Sequence, residues 1–322
     1  VTSIQKPAFG NEVVDMAKTL TKNKAIRVKE KWRTNDIIVE AVLIFIFIII
    51  SILILYPILN VLSVSLSGDG YVLRGAVTFY PKDFTVAAYK AVLSNKQILK
   101  SFGNSIYIAG VGCVLSLLAT LFAAYPIACC EFPGKKIYTI FVLLPMWFSA
   151  GTIPSYLCIS KLGLINSYWS LILSALIVPY NVLILASFLK GLPKEILESA
   201  RIDGAGELKI MFRIVLPLAK ASLATIGLWV IAAHWNAYME PLMYISDFNK
   251  FTLQQVLQDI VLNADAVKYE LGSAASNTVT GAALADQLKN AVLIVSMIPM
   301  LIIYPFIQKY FVKGATLGAV KG

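Results

Sequence analysis

The chain has 322 residues, of which 58% are hydrophobic and 14% charged, with a net charge of +10 and a mean hydropathy of +0.75. That balance is too apolar for a water-soluble domain and predicts an all-α, polytopic membrane protein. The excess of positive charge is mainly a topology signal, with contact between a basic tail and anionic lipid as a lesser effect, and nothing in it supports nucleic-acid binding.

Residues 1–36 form a basic N-terminal tail with eight Lys and Arg. They hold no apolar core of about 7–15 residues and no small-residue cleavage site, so they do not read as a secretory signal peptide. Residues 25–33, with the single aromatic Trp32, read equally as a short interfacial helix or as a frayed tail. A spanning helix needs about 20 mostly apolar residues, and six stretches qualify: 37–62, 106–130, 137–158, 168–189, 214–238 and 291–311. Together, residues 37–312 make one six-helix transmembrane domain, followed by a short tail at 313–322. Six spans put both termini on one side. If that side is the cytoplasm, 19 of the 28 Lys and Arg fall in or beside inner segments, which predicts cytoplasmic N and C termini.

Two outer loops follow from this topology. The first, 63–103, contains Tyr71, Phe79, Tyr80, Phe84 and Tyr89 and predicts a compact, aromatic-packed lid over the helix ends. The second, 247–289, opens with Leu253, Val256, Leu257, Ile260 and Val261, close to the 3.6-residue period of a surface helix. Its continuation 272–281 has too few large apolar groups to fold alone. In the spans, Pro57, Pro126, Pro145, Pro179, Pro299 and Pro305 each remove a helix hydrogen bond, which suits a moving pathway and also occurs in static bundles. Ala119 with Ala123, and Ala124 with Ala128, allow close helix packing. Cys113, Cys129, Cys130 and Cys158 lie in or beside spans without metal or redox spacing, and read as reduced packing residues.

The inner loop 190–213 carries the most distinctive pattern. Pro193 opens a helix over 195–202 and Gly204 ends it. Within it stand Glu198, Ser199, Ala200, Asp203 and Gly204, followed nine residues later by Ile214 and Pro217. This spacing resembles the EAA loop of permease subunits of binding-protein-dependent ABC importers, with Ser199 in place of the middle alanine. Further stretches support the likeness: Lys100-Ser101-Phe102-Gly103-Asn104-Ser105, Leu216-Pro217-Leu218-Ala219-Lys220, Trp235-Asn236-Ala237-Tyr238, the run from Tyr304 to Gly314, and the tail Gly318-Ala319-Val320-Lys321-Gly322. They resemble carbohydrate permeases of the maltose-system (MalG-like) and LplC-like type.

The resemblance implies a type I ABC importer permease fold and a heterodimer with a second permease. It also implies two ATPase subunits gripping the inner loop and an extracytoplasmic solute-binding protein that delivers cargo. The cargo it implies is an oligosaccharide, with fragments of acidic or pectic polysaccharides within range. In that frame Glu198 offers a carboxylate to the ATPase, Ser199 and Ala200 allow close approach, Gly204 makes the turn, and Ile214 and Pro217 begin the fifth span. The terminal Gly-Ala-Val-Lys-Gly stretch is implied to insert at the ATPase dimer interface.

For the cargo pathway, Trp235, Asn236 and Tyr238 suit a sugar, because aromatic faces stack on rings and amides bind hydroxyls. An interfacial aromatic belt explains Trp235 and Tyr238 as readily. Asn236 is harder to place against lipid. Tyr180, Asn181 and Trp147 are weaker candidates of the same kind. His234 reads at even odds as lining or as a packed core residue. No catalytic constellation, metal site or phosphate-binding loop is present, so ATP and Mg are expected in partner ATPase subunits and no cofactor in this chain. The near-absence of mid-span carboxylates disfavours the alternative of an ion-coupled secondary carrier. A membrane scaffold without transport activity is the third reading.

Overall fold

The computed structural model describes residues 34–271 and 279–319. The expected helix or frayed tail at 25–33 lies outside them, as do 272–278 of the small-residue stretch and the terminal residues 320–322. All regular structure among the described residues is helical. The chain forms two units, residues 1–56 and 57–322. In the first, the described residues belong to α1 (Thr34–Ser65), whose apolar run shows no buried position from 38 to 56. A helix apolar on every face is one built for lipid or for another helix.

The second unit is held together by α4 (Lys96–Cys129), which packs against α8 (Pro179–Lys190) and α12 (Lys220–Asn236). Helix α4 begins well before the expected residue 106, because Asn95 caps it: its side chain accepts from the backbone N–H groups of Gln97 and Ile98 at 2.9 and 3.2 Å, satisfying two donors that a helix start leaves open. Leu121, Ala124, Val182, Leu185, Ile210, Val215 and Ile226 are almost fully buried in the core between these helices. A second core joins the short helix α3 (Ala87–Ser94), α14 (Leu253–Leu271) and the long α15 (Val279–Ala319). It buries Leu253, Val256 and Leu257 of the expected amphipathic face.

Three of the expected spans are interrupted. The stretch 137–158 is not one helix: α5 (Lys135–Leu143) runs into a 3-10 turn at Leu144–Met146, the chain then opens over 147–151, and α6 (Thr152–Lys161) restarts. Pro145 removes a donor from the turn, and Gly151 adopts φ 81°, which favours glycine. The stretch 168–189 divides into α7 (Tyr168–Ser174) and α8, bent by 49° just before Pro179. The stretch 214–238 is bent as well, and Ile214 and Pro217, expected to begin the fifth span, come before the bend. Those residues lie in a π-turn, Met211–Val215, and a three-residue helix, α11 (Leu216–Leu218), which together with α10 (Glu207–Ile210) form an arm bent 82° from α12. By length and composition three helices can cross a membrane among the described residues, or up to five if each bent pair is one span.

The 63–103 segment is tied together by backbone hydrogen bonds, whereas Tyr71, Phe79, Tyr80 and Phe84, expected to pack it, are exposed. Gly68 N–H donates to Lys82 O at 3.0 Å and Thr85 N–H to Leu66 O at 3.0 Å. Gln287 of α15 ties the segment down by donating to Ser67 O at 2.8 Å and to the Asp69 carboxylate at 2.7 Å, the latter in α2 (Asp69–Leu73). The four cysteines are free.

Candidate functional site

The first site is the elbow after α8. Helix α9 (Lys194–Ile202) starts behind Pro193 and buries only Leu197 and Ala200 in the core, leaving Glu198 and Ser199 exposed. Its end is a complete left-handed cap: Gly204 N–H donates to Arg201 O at 3.0 Å, Ala205 N–H to Ala200 O at 3.0 Å, and Gly204 adopts φ 75°. This pattern satisfies the last carbonyls and needs a residue without a Cβ penalty. Asp203 stands at the C-cap, exposed.

An ion pair that the sequence pattern did not single out locks the elbow. Arg201 Nε donates to Glu207 Oε1 at 2.9 Å, and Arg201 Nη2 donates to Cys129 O at 2.7 Å, a carbonyl at the very end of α4. Tyr125, one turn earlier on α4, donates its hydroxyl to the other Glu207 oxygen. The hydrogen bond to Glu207 holds the Arg201 guanidinium above its ordinary pKa range. Helix α9, the start of the bent arm and the end of the central helix are therefore one hydrogen-bonded body. Beside it, a cleft of 420 Å³ lies between Lys190, Lys194 and Glu198 on one side and Glu131 and Lys135 on the other. There the 2.8 Å pair with Lys135 lowers the Glu131 pKa.

The second site is a cavity of 480 Å³ at the far end of α12. Its walls come from α4 (Ser105), the opened segment and first turn of α6 (Ser149, Thr152, Ser155), α7 (Ser174), α12 (His234, Asn236) and α13 (Met239–Tyr244, with Glu240). The interruption at 147–151 contributes Ser149 and Gly151 to this lining. His234 is 9% exposed and fits only because residue 112 on α4 is glycine: a Cβ there would stand 2.6 Å from His234 Nε2.

Of the residues expected to meet cargo, the cavity includes Asn236 and leaves out Trp235, Tyr238, Tyr180, Asn181 and Trp147. Trp235, next to Asn236, points into the second core: its indole N–H donates to Ser296 O at 3.0 Å and its ring meets Phe102 edge-on at 5.6 Å. Tyr180 stacks on Trp229 at 6.2 Å. Asn181 is buried on α8, Trp147 is 67% exposed, and Tyr238 is half-buried at the start of α13. Sequence reasoning passed over Ser149, Thr152, Ser155 and Gly112. The signal for the first three was Pro145 followed by Gly151, a break inside an apolar run.

With the geometry in place, comparison with known proteins is informative. LplC of Bacillus subtilis (strain 168) is 38% identical over 267 residues, covering 83% of this chain and 89% of that protein. The polygalacturonan/rhamnogalacturonan transport system permease protein YtcP of the same organism is 36% identical, covering 83% and 92%. Among solved structures, a bacterial ABC transporter involved in the import of the acidic polysaccharide alginate aligns with a TM-score of 0.78 at 28% identity, covering 87% of this chain and 99% of that one. The pattern of the family described as "Binding-protein-dependent transport system inner membrane component" matches residues 42–317. The chain belongs to that family of transport permeases and has its type I importer fold.

Proposed function

We propose that this chain is one of two permease subunits of an ABC importer and lines the membrane pathway for an oligosaccharide. Both termini face the cytoplasm, an orientation supported by the distribution of Lys and Arg. The elbow 190–213 then lies on the cytoplasmic side, where two ATPase subunits supply the energy that this chain, without a phosphate-binding loop, does not. The cavity opens toward the extracytoplasmic face, where a solute-binding protein delivers cargo to the heterodimer. YtcP and the alginate importer are named for polysaccharide cargo, which supports a sugar chain as substrate.

The observation that carries this reading is the elbow. Helix α9 presents Glu198, Ser199 and Asp203 outward while Arg201, Glu207 and Tyr125 tie its other side to α4. A push on α9 is thereby delivered to the helix at the centre of the unit, and ATP-driven closure of the ATPases would switch the cavity's access. The test is cargo-stimulated ATP hydrolysis by the full complex in lipid. Replacing Glu198 by Ala removes the outward carboxylate and should weaken stimulation while the chain stays in the membrane. Undiminished stimulation would count against α9 as the docking element. Uptake by this chain without nucleotide would instead support a secondary carrier.

A further inference from the structure

The cavity at the end of α12 has an unusual polarity. Among its described lining residues there is no Lys or Arg, and its one carboxylate, Glu240, has no ion-pair partner among the described residues. The single basic ring, His234, is packed against Gly112.

The neutral groups carry no such bias. Ser155 donates its hydroxyl proton to Gly151 O at 2.8 Å and Ser174 donates to Leu171 O at 3.2 Å, while the hydroxyls of Ser149 and Ser105 accept from the backbone N–H groups of Gly151 and Leu253 and keep their own protons for the cavity. Such a wall offers an uncharged sugar ring both acceptors and donors. A ring carboxylate brought to the same wall meets, in addition, a like charge at Glu240 with no Lys or Arg in the lining to offset it.

We infer that this chain's wall is a filter for uncharged sugar units, with Glu240 as the residue that turns away carboxylate-bearing rings. The inference rests on the importer reading above and narrows its cargo: the unit seated here differs from the uronic acids that the names of some relatives evoke.

The test uses the complete complex in lipid with two matched cargoes, a neutral oligosaccharide and the same oligosaccharide with one ring oxidised to the uronate. The ratio of ATPase stimulation by the two is compared between variants, so that the binding protein's own preference cancels. Glu240→Gln should lower the neutral-over-uronate ratio about tenfold, the order expected for removing one like-charge contact near a protein surface. Stimulation by the neutral cargo should change less than about twofold on that scale, and Glu240→Asp, which keeps the charge, should keep the ratio. An unchanged ratio in Glu240→Gln with robust neutral stimulation overturns the filter and leaves the importer reading standing. If neither cargo stimulates any variant, the importer reading falls and the filter with it.

Discussion

The elbow and the cavity lie at opposite ends of α12 and handle polar groups in opposite ways. At the elbow, Arg201, Glu207, Tyr125 and the last carbonyls of α4 and α9 bond to one another. In the cavity, Ser155, Ser174 and Asn236 bond back to their own backbone and leave acceptors unpaired toward open space. A closed network moves as a body, whereas acceptors facing a void require an occupant or water to complete them. In the function proposed above, the elbow is the part that transmits force and the cavity the part that reads cargo, and mutations should separate the two.

The largest effect is expected at Gly204. Its φ of 75° costs a β-branched residue about 1–2 kcal/mol in backbone strain, and the added bulk sits on the face proposed to enter the ATPase. Gly204→Val should reduce cargo-stimulated ATPase activity at least about tenfold, without altering the preference between matched cargoes. A shift in that preference would break the separation. Next comes Gly112→Ala, which drives a methyl group to 2.6 Å from His234 Nε2, an overpacking of the order of 1–3 kcal/mol. The ring must move, changing the cavity and its cargo response while basal ATPase activity persists. Combining it with His234→Ala should restore much of the response, and purely additive losses would show that the two residues do not share the site. A smaller loss, severalfold in stimulation, is expected for Arg201→Gln. Glutamine cannot hold Glu207 and Cys129 O together, and Arg201→Lys should rescue it only in part, since a point charge does not reproduce the fork.

Much of the elbow was legible in the sequence, because its signals are local. Pro193 fixes φ at the start of α9 and Gly204 supplies the positive φ that ends it, and the observed helix, Lys194–Ile202, differs from the expected 195–202 by one residue. The interrupted spans were hidden because hydropathy reports composition: 137–158 is apolar enough to cross a membrane whether or not Pro145 and Gly151 break it. Likewise the apolar run from Ile214 concealed the 82° bend at Ala219. The Arg201–Glu207 pair also escaped, since its members join three elements that only the fold brings together. In the cargo pathway the residue types were suggestive and their directions were not. His234, Trp235 and Asn236 are consecutive, yet successive helical residues point about 100° apart. The core takes Trp235, while the cavity takes His234 and also Asn236, two steps or roughly 200° further round, because α12 ends at Asn236 and the cavity wraps that end.

Trp235 gives the finest test of that division, and the smallest expected effect. As a sugar-stacking residue its replacement by Phe would keep an aromatic face and perturb cargo response through the altered surface. As a core residue it instead loses the bond from Nε1 to Ser296 O while the edge-on contact with Phe102 survives. Removing one such buried bond costs about 1 kcal/mol or somewhat more, because the Ser296 carbonyl loses an indole donor that Phe does not replace. Trp235→Phe should accordingly lower the thermal stability of the purified complex slightly, leaving both the neutral-over-uronate ratio and maximal ATPase stimulation within about twofold of the parent, a change under half a kcal/mol. A selective change in cargo preference with unaltered stability would move Trp235 back into the pathway and shift the boundary between reading surface and core by one residue of α12.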